Sequence, residues 1–116
     1  MKVLLDTNFL LYAAKHKVDY SESGDLFTLS LVVDELDNLK NNARKIKDRD
    51  AAALALKLLK ASKVKILKAE GSADKVIIKR AEEFDVVATM DKELKKKLKG
   101  KARILTIKGK KKLEIL

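Results

Sequence analysis

KVLLDTNFLL, residues 2–11, joins two apolar segments of different period through an acid. Val3, Leu4 and Leu5 form a short continuous run suited to a buried strand, whereas Phe9 to Lys15 carries its apolar residues at helical spacing. Asp6 stands at the junction, at the carboxyl end of the strand, where a charge near a core is costly unless something there uses it.

The same unit recurs outward along the chain. LFTL is followed by the helical segment Leu31 to Leu39, Ala51 to Leu59 by VKIL, Ala73 to Phe84 by DVVAT, and Leu94 to Leu98 by ARILTI. The pattern predicts five strands interleaved with five helices, hence an α/β domain whose parallel sheet is covered by helices in three layers. DYSESGD (19–25) and KNNARKIKD (40–48) read as the only loops of any length, and neither has the composition of a linker. We expect one domain over residues 1–108. The basic tail 109–116 then either docks Leu113, Ile115 and Leu116 on the sheet edge or acts as a polyanion-binding arm.

Composition narrows the function. The chain has 116 residues and no cysteine, which excludes disulfides, thiolate zinc sites and cysteine nucleophiles. The N-terminal run is too short and too charged for a signal peptide or membrane span, so a cytoplasmic protein is expected. Neither a Walker A loop nor G-x-G-x-x-G occurs. A net charge of +10, from 27 Lys and Arg against 17 Asp and Glu, favours a polyanionic partner such as nucleic acid. The Lys- and Glu-rich composition equally describes a heat-adapted surface.

In open parallel sheets the functional crevice lies beyond the carboxyl ends of the strands. Asp6 sits there. Glu35 falls within the apolar stripe Leu31, Val32, Leu36, Leu39 of a helix for which Ser30 is the expected N-cap. Asp74 heads the row Ile77, Ile78, Ala81, with Lys75 facing outward, and Asp91 begins the inward row of Leu94 and Leu98. Each acid also has a local explanation: a turn for Asp6, a cap for Asp91, a helix dipole for Asp74, a lysine partner for Glu35. Four carboxylates converging on one crevice would repel one another, and a hard divalent cation, Mg²⁺ or Mn²⁺, removes that repulsion. Such a centre on a basic domain suits phosphodiester hydrolysis.

LLDTNFLL, SLVVDEL, GSADKVII and VVATMDKEL, taken in order, resemble the successive motifs of the PIN-domain nucleases. KDRDAAALAL and the KKKLE tail are most similar to small archaeal PIN proteins of the ribosome-biogenesis type, with the VapC toxin branch a more distant match. The resemblance implies a five-stranded sheet of order 3-2-1-4-5 and a Mg²⁺- or Mn²⁺-dependent endoribonuclease, acting on RNA such as a ribosomal RNA precursor. It implies Asp6, Glu35, Asp74 and Asp91 as catalytic metal ligands, with Thr7, Asn8 and Thr89 orienting the first carboxylate or a water. A homodimer is expected on the same ground. The chain departs from the pattern at Lys75, where relatives often carry a second acid, and at Met90, where they often carry Asn.

Basic residues near these motifs are candidate RNA contacts: Arg44, Lys47 and Arg49 around the long loop, and Lys92, Lys95 and Lys96 in a run with Lys97, Lys99 and Lys101 beside Asp91. Pairing with Asp48 and Asp50, or a solvated helix face, explains the same residues without RNA. His16 reads as a dipole-capping or exposed residue. Tyr20 is the one candidate for stacking on a base. Set against the ribonuclease are an RNA-binding module of the same fold with weakened catalysis, and a phosphoaspartyl hydrolase with Asp6 as nucleophile.

Overall fold

A computed structural model describes every residue from Met1 to Leu116. β1 (Lys2–Leu5) leads into α1 (Thr7–His16), β2 (Asp25–Leu29) and α2 (Ser30–Asn42); α3 (Ile46–Ala61) follows, then β3 (Lys65–Leu67). α4 (Ala73–Arg80) runs through a 3₁₀ turn at Ala81–Glu83 into β4 (Val86–Ala88), α5 (Lys92–Lys97), β5 (Arg103–Lys108) and β6 (Lys112–Ile115). The sheet order is β3-β2-β1-β4-β5-β6. The five expected strands are all parallel to their neighbours and lie in the expected order.

Val3, Leu4 and Leu5 are wholly buried because β1 is central, paired with β2 on one side and β4 on the other. Its register sets Leu5 level with both Thr28 and Ala88, and Ala88 level with Leu105. The Thr28 hydroxyl donates to the Leu5 carbonyl at 2.7 Å, so its polar atom is satisfied inside the sheet. α1 buries Phe9, Leu10, Ala13 and Ala14, and ends where Lys17 turns left-handed at φ 54. There the Val18 N–H reaches the Ala13 carbonyl at 2.9 Å, closing the helix end.

Four expectations are corrected. The sheet has a sixth strand: β6 pairs antiparallel with β5, Leu105 opposite Ile115 and Ile107 opposite Leu113, so the apolar half of the tail finds its place on the edge. The loop over 40–48 shrinks to Ala43–Lys45, and α3 begins at Ile46 rather than Ala51. Tertiary partners make that polar stretch helical: Asp48 pairs with Lys15 at 2.7 Å, and Arg49 Nε donates to the Ala43 carbonyl at the end of α2. Ser30 is not the cap of α2 but its first residue. Its hydroxyl instead bridges to Ala69, accepting from the N–H at 2.9 Å and donating to the carbonyl at 3.2 Å, which pins the β3–α4 connection to α2. Tyr20 is no stacking platform either, since it is buried edge-on against Phe9 with ring centroids 5.9 Å apart.

No helix is long and apolar enough to cross a membrane.

Candidate active site

The parallel strands β1 and β4 end side by side, and the chain leaves each through a short polar segment. After β1 comes Asp6, extended at φ −92 and ψ 158, acting as N-cap of α1. One of its carboxylate oxygens accepts from the Thr7 N–H at 2.8 Å and the other from the Thr89 hydroxyl at 2.8 Å. After β4 comes Thr89, fully buried, whose hydroxyl also accepts from the Asp91 N–H at 3.1 Å. Asn8 completes the bridge by accepting from the Met90 N–H at 3.0 Å. Residues more than eighty positions apart are thereby locked together by one bond between side chains and one from backbone to side chain.

Asp91 is the N-cap of α5, one oxygen accepting from the Glu93 and Leu94 N–H groups at 2.9 and 3.2 Å. Its second oxygen makes no hydrogen bond within the protein. Glu35 comes from the second turn of α2 and Asp74 from the first turn of α4. Together with Asp6, Thr7, Asn8, Leu11 and Leu39, these three acids line one open cleft of about 320 Å³.

The four acids differ in depth. Asp6 is 4% exposed, whereas Asp91 is half-buried and Glu35 and Asp74 are exposed on the rim. The expectation that each sits on a buried side holds for Asp6 and is corrected for the others: Glu35 and Asp74 are exposed and Asp91 half-buried, because the side toward which helical phase aims them borders the open cleft rather than the packed core. Burial pushes the Asp6 carboxyl up to about 6, against the lowering effect of the Thr89 hydroxyl and the Thr7 N–H; repulsion from Asp74 and Glu35 raises it further. Thr7 lines the same cleft, and its hydroxyl is buried without any partner.

The donor set is all oxygen, the chemistry that hard divalent cations prefer. As the side chains stand, no three acids surround a single point. Glu35 and Asp74 form no ion pair or hydrogen bond that would hold them back from closing that gap. A desolvated carboxylate facing two others, beside an orphaned hydroxyl, is a polar site short of a positive charge.

The other candidates lie elsewhere. Arg44, Lys47 and Arg49 are exposed at the α2–α3 junction, which packs beside the carboxyl end of α1, a helix length of roughly 15 Å from Thr7. His16, in that region, tilts against Tyr12 with centroids 4.3 Å apart. Lys92 and Lys96 are exposed on α5, but Lys95 is drawn in to the Thr106 hydroxyl at 3.1 Å. Lys99 and Lys101 follow α5 where the chain turns back to the amino edge of the sheet, and Lys101 lies there beside Asp85 and Arg103, away from Asp91. Lys75 is exposed and does not line the cleft. Met90 contributes its N–H to Asn8 while its sulfur accepts from the Thr106 hydroxyl at 3.4 Å, so its side chain leaves the network intact. Sequence reasoning missed Leu11 and Leu39, which form the apolar floor of the cleft. Their signal was present in the spacing, four residues after Thr7 and Glu35 respectively.

Residues 3–110 match the family model described as a PIN like domain. Ribonuclease VapC4 of Methanocaldococcus jannaschii is 32% identical over 126 aligned positions, taking in 98% of this chain and 95% of that protein. The resemblance to PIN nucleases is thus supported, while the relative carries a VapC name rather than one of the ribosome-biogenesis type. A match of this extent, joined to the sheet order and the acid-lined cleft, shows that the chain belongs to the PIN-like domain family.

Proposed function

We propose that this protein is a divalent-metal-dependent endoribonuclease that hydrolyses RNA phosphodiester bonds at the cleft around Asp6. The observation that carries the proposal is the convergence of Asp6, Glu35, Asp74 and Asp91 on one opening, with the deepest of them disfavoured as an anion. These four would hold Mg²⁺ or Mn²⁺, which supplies Lewis acidity at the scissile phosphate and favours deprotonation of the attacking water.

The chain's own residues would divide the remaining work. The Thr89 hydroxyl and the Thr7 N–H hold the Asp6 carboxylate in a single orientation, while Asn8 fixes the start of α1 against the residues after β4. Leu11 and Leu39 exclude water from the floor. Glu35 and Asp74, free at the rim, would adjust to the arriving cation.

The reading as a binding module with weakened catalysis rested on Met90 and Lys75, and neither side chain enters the cleft. A phosphoaspartyl mechanism asks Asp6 to attack, yet both its oxygens are engaged and it is buried. For the substrate, the VapC-named relative favours a toxin-type ribonuclease over the processing of ribosomal RNA precursors. That role calls for an antitoxin protein, and a cytoplasmic location and a homodimer belong to the same proposal.

The test is cleavage of short single-stranded and hairpin RNAs with Mg²⁺ or Mn²⁺, comparing wild type with Asp6→Asn and Asp74→Asn. Cleavage that both substitutions and a chelator abolish supports the proposal. Cleavage that survives them, or RNA left intact with every metal tried, overturns it.

A further inference from the structure

We infer that the β5–β6 hairpin is a second RNA contact, an arm that grips phosphates of the strand whose cleavage is proposed above; the inference rests on that ribonuclease reading. Its residues Lys108, Lys110, Lys111 and Lys112 surround Gly109 at the turn, and all are exposed.

The sheet register places the arm. Leu5, Ala88 and Leu105 are level across β1, β4 and β5, but β5 continues to Lys108 where β4 stops at Ala88. Lys108 therefore stands two residues beyond the level of Asp6, on the same carboxyl edge, and two strands to the side. At ordinary rise and strand spacing this is about 12 Å between the two backbones, within reach of one bound oligonucleotide. The exposed Lys92, at the start of α5 just after the carboxyl end of β4, belongs to the same end of the molecule.

The local electrostatics are unbalanced. Lys108 lies directly opposite Lys112 in the antiparallel ladder, a like-charge pair that weakens a hairpin. Glu114, at 3.9 Å from Lys108, is the single acid near, and Lys110, Lys111 and Lys112 have no ion pair. A heat-adapted surface intersperses charges of both signs, whereas here one sign is concentrated at a turn. A phosphate backbone supplies the missing countercharge.

Lys110 provides an unusual test because it sits left-handed at φ 78, where glycine is preferred. Lys110→Gly removes a charge and relieves the left-handed backbone together, so weaker binding does not come from strain added at the turn, and urea unfolding of the variant checks that the fold is kept. We would measure binding of a fluorescent single-stranded 20-mer RNA in EDTA, across a salt series, for wild type and for Lys110→Gly with Lys111→Gln and Lys112→Gln. Lys99→Gln with Lys101→Gln, at the opposite edge of the sheet, is the control.

The expected result is a salt slope about 2 lower for the hairpin variant and affinity at least about tenfold weaker at low salt, with the control unchanged. An unchanged slope and affinity in the hairpin variant, while wild type binds RNA, overturns the arm and leaves the ribonuclease reading standing. No RNA binding by wild type overturns the arm; should cleavage with metal fail as well, the ribonuclease reading falls with it. Binding to phosphatidylserine vesicles but not to RNA also overturns the arm, in favour of a membrane surface.

Discussion

Replacing Asp6 with Asn should make the metal-free protein more stable while abolishing its proposed activity. Asp6 is 4% exposed, and its carboxyl is pushed from the ordinary 3.8 to about 6, chiefly by burial. At about 1.4 kcal/mol per pH unit, the ionised form costs roughly 3 kcal/mol at neutral pH. Between pH 4 and pH 6 the native state keeps a proton that the unfolded chain releases, so this contribution lowers stability as pH rises through that window. Asn retains an oxygen to accept from the Thr7 N–H, so the helix cap survives. The assay is urea unfolding in EDTA at pH 4 and pH 7.5 for both proteins. The two should nearly coincide at the lower pH, and Asp6→Asn should gain about 3 kcal/mol, or roughly 10 °C in Tm, at the higher. Adding Mg²⁺ should stabilise wild type and leave the variant unmoved. An Asp6→Asn protein no more stable than wild type at pH 7.5 would refute the claim that this carboxylate is held at a cost.

Other substitutions probe the rest of the molecule. Glu35→Gln and Asp74→Asn, on exposed side chains, should change stability by less than about 0.5 kcal/mol in urea yet lower RNA cleavage by about 100-fold or more. Thr89→Val removes the donor to Asp6 and should destabilise by about 2 kcal/mol at pH 7.5, with a smaller loss at pH 4 where the carboxyl is neutral. Gly24→Ala should lower Tm sharply, since φ is 144 and an added Cβ would strike the Met1 carbonyl oxygen. Tyr20→Phe removes a buried hydroxyl without a partner and should be neutral or stabilising by about 1 kcal/mol in urea unfolding.

Much of the fold was legible because period and run length carry it. VKIL, DVVAT and ARILTI are short apolar runs between helical segments, and such alternation has few packings other than a parallel sheet. β6 was harder to see, because KKKLEIL mixes charge with apolar residues and its role depends on an edge that only the finished sheet provides. The start of α3 was hidden for a related reason: KIKDRD is polar, and the partners that order it, Lys15 and Ala43, lie outside it in the chain. In the cleft, helical phase told which way Glu35 and Asp74 point but not how deep they lie, since depth depends on which other elements close over that side. The partners of Thr89 could not be read at all from spacing, because Asp6 and Asn8 belong to the other end of the chain.

Because the central strand β1 is made before β2 and β3 while its sheet neighbour β4 follows both, the pocket cannot assemble piecemeal. While a ribosome still lacks β4, the emerging polypeptide has its first carboxylate but nothing opposite to orient it or to close the opening. The proposed cutting activity therefore arises only once the segment after β4 has been made and has folded against the first strand, whatever part of the site was ready before it.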